Sequence, residues 1–329
     1  MKIFCSIASY QDPILPYTIE SIIENARYKK DLVLGIFDQS LQHLDIVKEY
    51  SKYGPEIRYK TCDPEESKGV CWARGTIQDE LFDGEDIFMQ IDSHTLFEKE
   101  WDADLLEKYS NCFNWFEKPI ITGYPKAFDV LTSKGGWLNT DKEYIFRITQ
   151  DDPDQTHVLQ YHIPWMKGYN PGQMSHVIDG KKYYRGFAMA GGGIFTEGKW
   201  VEDVPYDKEI YFNGEEGTLA LRSFTHGYDM VHVPNLPFYH WYNVEGLELK
   251  RTLHWDRDED MDLIHKASHV KVDRVLQGKV TDKYGIGNKR TLKEYADLSG
   301  IDYENKLVHI GKSTFKDYID KGFVLEDFE

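Results

Sequence analysis

The chain lacks most of the features that would place it quickly. Its four cysteines (Cys5, Cys62, Cys71 and Cys112) have no close paired spacing of the zinc-binding kind and no secretory context for a disulfide framework. They read as reduced thiols of an intracellular protein, so a cytoplasmic location is expected. No apolar run reaches the length that spans a bilayer, and the first, Ile3–Ala8, is too short for a signal peptide before Gln11-Asp12-Pro13 interrupts it. No membrane partner is expected. Positive charge is scarce as well: 39 basic against 56 acidic residues leave a formal −17, which works against general attraction to phosphate backbones or acidic lipid. G-x-G-x-x-G and G-x-x-x-x-G-K-[ST] are both missing, which removes the common dinucleotide and P-loop devices. There is no internal repeat and no low-complexity segment.

What is present is strand alternating with helix. Lys2–Ser9 reads as a strand, and Asp12-Pro13 as the cap and first turn of a helix carrying Leu15, Ile19, Ile22, Ile23 and Ala26. Leu32–Phe37 is a second strand, with Leu41, Leu44 and Val47 marking a helix behind it. Ile57–Lys60 is a third. Val70, Ala73, Ile77 and Leu81 form a helical stripe with Arg74 on its flank, and Ile87–Ile91 is a fourth, buried strand. This order predicts an α/β fold with a mostly parallel central sheet flanked by helices, and ligands outside its carboxyl edge. Ser9-Tyr10, Asp38-Gln39 and Asp92-Ser93-His94 all fall on that edge.

The last of these breaks carries chemistry. In extended chain Asp92 and His94 point the same way and Ser93 the other. A carboxylate oxygen with an imidazole nitrogen suits a divalent ion of intermediate hardness, Mn²⁺ before Mg²⁺ or Zn²⁺; the same residues could equally cap the next turn. Further on, Tyr124–Gly180 reads as an irregular insertion with short strands at Tyr144–Thr149 and Val158–Ile163. It would form an acceptor-side wall or lid. Tyr183–Ala190 is a strand running into Gly191-Gly192-Gly193, where a ligand or another backbone comes close, or where the chain simply turns. Glu215 and Glu216 open a helix that stops at Gly227; the helix dipole alone would account for them. Asp229–Val233 is the last core strand. His240, among Phe238, Tyr239, Trp241 and Tyr242, is either a hydrogen-bonded core residue or a ligand. Beyond Leu249 the chain is more polar and helical, with a capping box at Thr291–Glu294 closed by Gly300.

Several of these stretches together carry a resemblance. Ile3–Asp12, Gln90–His94, Gly191–Phe195, Gly214-Glu215-Glu216, His254-Trp255 and, in the tail, Arg290-Thr291-Leu292 follow one another in the order found in the cytosolic polypeptide GlcNAc-transferases that modify hydroxyproline. The chain resembles that family and, through Asp-Ser-His and Gly-Gly-Ile-Phe, is more distantly similar to the polypeptide GalNAc-transferases. The resemblance implies a nucleotide-diphosphosugar (GT-A-like) glycosyltransferase fold. It divides the chain into a catalytic domain over 1–248 and a helical C-terminal extension over 249–329. Within the catalytic domain, 1–122 would be the nucleotide-binding half and 123–248 the sugar and acceptor half. It implies a UDP-sugar donor, a Mn²⁺ or Mg²⁺ ion held by Asp92, His94 and His240, and transfer to a hydroxyl with retention. The expected acceptor is a polypeptide, with a glycan or a hydroxylated DNA base as alternatives. Ala8, Ser9 and Tyr10 would line the nucleoside pocket, with Asp38 near the base or ribose, Arg74 beside the nucleoside or phosphates and Ser93 among the donor contacts. Gly192 and Gly193 would let the sugar approach the backbone, and Glu215 would accept from its hydroxyls. Where the GalNAc-transferases have an arginine shortly after the third ligand this chain has Asn243, so phosphate charge would fall to Arg251, Lys250 or the metal.

Two chemistries follow from that set. The acceptor hydroxyl can attack on the leaving-group side and pass its proton to the diphosphate, or Glu215 or Glu216 can act as a covalent nucleophile as in retaining glycosidases. Two other readings compete. A metal-dependent nucleotidyltransferase or phosphohydrolase would call for more carboxylates round the ion. A carbohydrate-binding module would have no use for Asp92, His94 and His240 together.

Overall fold

Alternation of side chains along the first strand sets the architecture. In β1 (Ile3–Tyr10) Ile3, Cys5 and Ile7 pack into one apolar cluster and Phe4 into another, so the strand is covered on both faces. The structure, a computed structural model, describes residues 1–41, 45–132, 144–149, 155–159, 166–167, 175–179, 182–242, 252–253, 261–308 and 324–325. Arg251, Lys250, Asn243 and the His254-Trp255 pair lie outside them.

After β1 come α1 (Leu15–Asn25), β2 (Leu32–Gln39), α2 (Ile46–Tyr50), β3 (Glu56–Cys62), α3 (Val70–Glu80), β4 (Ile87–Asp92), β5 (Thr95–Phe97), α4 (Trp101–Cys112) and β6 (Pro119–Thr122). Then follow β7 (Lys126–Thr132), β8 (Tyr144–Ile148), β9 (Gln155–Leu159), β10 (Ser175–Asp179), β11 (Tyr183–Gly186), β12 (Gly193–Glu197), α5 (Trp200–Asp203), α6 (Glu215–Thr225), β13 (Asp229–His232) and β14 (Phe238–His240). The tail adds α7 (Met261–Leu276), α8 (Leu292–Ser299), β15 (Ile301–Asp302), β16 (Leu307–Val308) and β17 (Val324–Leu325).

Nine of these strands form the central sheet in the order β17-β11-β13-β6-β12-β4-β1-β2-β3. Tracing the pairings, all of them run one way except β12 and β11, so the sheet is mostly parallel, as expected. Because β12 is reversed, the loop that enters it lies at the same edge where β1 and β4 end. Helices α1 and α4 cover one face through Leu15, Ile19, Ile22, Trp101 and Leu105, while α3 and α6 cover the other. A smaller sheet, β5-β14-β7-β8, stands beside that edge.

Several sequence expectations need correcting. Asp12 does not cap α1: its N-cap is Ile14, and Asp12 Oδ1 instead accepts from the Ile14 N–H at 2.9 Å in a local turn. The helix after β2 is not built on Leu41 and Val47, which are exposed; α2 is a short helix that buries Ile46 and Tyr50. Leu44 lies outside the described residues. In the described part of 124–180, β8 falls on the strand expected at Tyr144–Thr149 and pairs antiparallel with β7, and β9 pairs likewise with β10. Of the strand expected at Val158–Ile163, the described part is the end of β9 at Leu159. The strand expected at Tyr183–Ala190 stops at Gly186, and the triple glycine leads into the next strand rather than out of this one. β13 is not the last strand of the central sheet, because β17 adds to its edge beside β11. Helices α7 and α8 pack against α6, with Val272, Leu276 and Tyr295 in the same apolar cluster as Leu219 and Phe224.

Candidate functional site

Two antiparallel pieces of chain bring the expected ligands together. Asp92 is the last residue of β4, and the chain bends through Ser93 and His94 into β5. β14 runs antiparallel to β5 with His240 opposite Thr95, and the Trp241 N–H donates to the His94 carbonyl at 3.2 Å. Thr18 of α1, fully buried, pins the bend: its hydroxyl donates to the Ser93 carbonyl at 2.7 Å and accepts from the Thr95 N–H at 3.0 Å. As a result one ligand-type atom from each of Asp92, His94 and His240 falls within 4.8 Å of the others. The two imidazoles meet edge to face, ring centres 4.6 Å apart, and His240 Nε2 lies 2.9 Å from Asp92 Oδ2.

The bend changes where Ser93 points. It was expected to face away from its neighbours, but β4 has ended and alternation with it. Ser93 Oγ donates to Asp12 Oδ2 at 2.7 Å, and His94 Nδ1 sits 2.6 Å from the same oxygen.

Behind Asp92 stands Arg74. Arg74, expected on a flank of α3, is only 4 % exposed. Its Nη2 donates to Asp92 Oδ1 and its Nη1 to Glu215 Oε1, both at 2.5 Å. Burial alone would lift the Asp92 carboxyl, yet the Arg74 guanidinium and the His240 hydrogen bond hold it well below the usual carboxylate range. Glu215 is itself buried behind Arg74 at the N-terminus of α6, where Gly214 at φ 94° is the N-cap. Glu216 reaches the glycine loop, its Oε1 accepting from the Gly191 N–H at 2.8 Å. Burial, with Glu215 and Asp92 nearby, pushes the Glu216 carboxyl up to about 7 against the pull of that N–H.

The glycines have a reason in this packing. A Cβ on Gly191 would stand 2.7 Å from Arg74 Nη1, one on Gly192 2.5 Å from Asp92 Oδ2, and one on Gly193 2.6 Å from the Gly123 carbonyl. The close approach expected at this loop is therefore made by the protein's own Arg74, Asp92 and backbone. Gln90 holds the loop from below, its amide donating to the Gly191 carbonyl at 2.6 Å.

A cavity of ≈ 260 Å³ opens over the cluster. Ala8, Ser9 and Tyr10 line it, with Asp92, Ser93, His94 and His240 at one end and Ser67, Gly69, Val70, Phe212 and Leu253 around it. Asp38 is 2 % exposed, and its Oδ2 accepts from the Tyr59 hydroxyl at 2.9 Å; its neighbour Gln39 lines the cavity instead. Arg74, Gly192, Gly193 and Glu215 do not line it. Sequence reasoning missed Asp12 and Gln39, although both sit at the strand edge where the ligand was expected. The Asp12-Pro13 pair looked like an ordinary helix start.

Residues 46–305 match the model of the family described as Glycosyltransferase (GlcNAc). The chain belongs to that family. The glycosyltransferase carries the α/β fold expected from its sequence, a mostly parallel central sheet with flanking helices, and its described C-terminal part includes α7 and α8. No curated protein is significantly similar to it in sequence. Among solved structures it is similar to TarS of S. aureus, at 10% identity and a TM-score of 0.45, covering 74% of this chain and 37% of that one. The chain thus spans little more than a third of that TarS chain. Residues 1–349 of TarS in complex with UDP align at 11% identity and a TM-score of 0.44, covering 92% of this chain and 80% of that one. At that likeness the site has to be read from its own residues. Among the described residues no helix of the glycosyltransferase is long and apolar enough to cross a membrane.

Proposed function

We propose that this glycosyltransferase moves GlcNAc or a related hexose from a UDP-sugar to a hydroxyl acceptor on a polypeptide, with retention of configuration and with Mn²⁺ or Mg²⁺ held by Asp92, His94 and His240. The observation that carries the reading is the gathering of those three ligand atoms within 4.8 Å at one end of the cavity. One carboxylate oxygen and two imidazole nitrogens are a donor set that fits such an ion. When bound, it would supply positive charge to the departing diphosphate.

The chain's own residues support the rest. Arg74 keeps Asp92 ionised and fixed in direction. Ala8, Ser9, Tyr10 and Gln39 offer a wall for the nucleoside. Glu215 has one carboxylate oxygen taken by Arg74, and Glu216 is bonded to the glycine loop and mainly neutral below about pH 7, so neither is placed like a free nucleophile. That favours attack by the acceptor hydroxyl on the leaving-group side. The sugar contacts of Gly192, Gly193 and Glu215, the phosphate role of Arg251 and the hydroxyproline acceptor rest on the family resemblance.

Screening nucleotide sugars for Mn²⁺-dependent hydrolysis tests the reading. UDP-GlcNAc should be turned over with release of UDP, and Asp92→Ala and His94→Ala should each lower the rate on the order of 100-fold or more while keeping the native circular dichroism. Metal-independent turnover, or full activity in both variants, would refute it.

A further inference from the structure

The turn between β1 and α1 delivers a carboxylate to the metal cluster rather than to the helix. Gln11 adopts φ 45°, uncommon for a residue with a side chain, while its N–H donates to the Gln39 carbonyl at 3.1 Å. That kink swings Asp12 beneath the Ser93–His94 bend, where its side chain is only 5% exposed. Three donors converge on it: the Ile14 N–H on Oδ1 at 2.9 Å, and Ser93 Oγ at 2.7 Å and His94 Nδ1 at 2.6 Å on Oδ2. An ionised carboxylate can only accept, so the imidazole hydrogen must sit on Nδ1.

We propose that Asp12 is a positioning residue: its carboxylate holds His94 with the ring hydrogen on Nδ1 and none on Nε2, making Nε2 the atom that His94 presents to the Asp92–His94–His240 cluster. Metal-bound histidines are ordinarily oriented in this way by an outer carboxylate, which fixes the tautomer and raises the basicity of the ligating nitrogen. Both sides of the contact are anchored. Thr18 clamps the bend that carries His94, and the Ile14 N–H holds Asp12. A mere loop anchor would need only the Ile14 and Ser93 bonds. The imidazole contact is the shortest of the three, in a setting where low polarity strengthens it.

This inference rests on the metal reading above, and its test separates the two. Long-range ¹H–¹⁵N spectra of the full-length, metal-free protein with ¹⁵N-labelled histidine would read the tautomer of His94, assigned by its loss in His94→Gln. The wild type should show Nδ1–H, and Asp12→Ala should lose that preference. Calorimetric titration with Mn²⁺ alone should show affinity weakened about 10- to 100-fold in Asp12→Ala and less in Asp12→Asn. An Nε2–H tautomer in the wild type, or unchanged tautomer and Mn²⁺ affinity in folded Asp12→Ala, overturns the proposal. Should Asp12→Ala fail to fold, the wild-type tautomer and the Asp12→Asn affinity decide. A wild type that binds no Mn²⁺ would sink the metal reading, and the tautomer would still decide the part played by Asp12.

Discussion

At the scale of single residues, the site is held by charges that belong to one another across long stretches of sequence. Arg74 links Asp92 to Glu215, and removing it would take from both carboxylates the cation they share. Arg74→Ala should therefore cost about 3–5 kcal/mol in stability, measured by denaturant unfolding. Arg74→Lys should recover only part of it, since one ammonium cannot span both partners as a guanidinium does. A change within error for both would show the bridge to be incidental. Glu216 offers a pH test. Its carboxyl is raised in the folded state from an ordinary value near 4.5 to about 7, so the neutral form is favoured by folding. That contribution is complete below the unfolded value and fades as pH rises through 7, to a limit of roughly 3 kcal/mol. Glu216→Gln should remove this slope, matching wild type near pH 4.5 and exceeding it above pH 7; parallel stability curves would contradict it. Asp92 and His94 stood out in the sequence as a polar break after a buried strand, whereas His240 came only from the family resemblance. Arg74 and Asp12 were misread, because what defines them is a partner many residues away, which no local pattern records.

At the scale of elements, the first strands of the central sheet were legible since β1, β2 and β4 are covered on both faces and read as unbroken apolar runs. The capping box of α8 is present as expected, with Gly300 closing the helix in the left-handed conformation. Thr291→Ala should lower stability by about 1 kcal/mol, and no measurable loss would mean that Tyr295 and its neighbours hold α8 alone. β7 escaped notice because its buried Phe128 and Val130 are separated from its partner β8 by a long stretch of unpatterned sequence. The triple glycine was recognised as a place of close approach, but what approaches was not readable, since Asp92 and Arg74 come from elements far away. Gly192→Ala would push its methyl group against the Asp92 carboxylate. It should weaken Mn²⁺ binding more than it lowers the melting temperature, and equal loss of both would count against a specific effect on the site.

At the scale of the whole molecule, the C-terminal helices α7 and α8 pack into the same apolar core as α6, a placement the sequence left open. Gly214 leaves room for Val272, whose methyl groups would lie within 2.7 Å of any Cβ there, and Tyr295 is 1 % exposed. A fragment ending at residue 248 should therefore fail to give the native fold, judged by loss of cooperative thermal unfolding; a fragment that melts sharply like the full chain would show the tail to be dispensable. The pairing of β14 with β5 has one more result. Asp92 ends a strand of the large sheet while His240 ends a strand of the small one, so a shared cation would tie the two sheets together. Chelation would then act as a mechanical release, raising deuterium uptake along 95–97 and 238–240 while the far rim of the molecule at 56–62 keeps its protection.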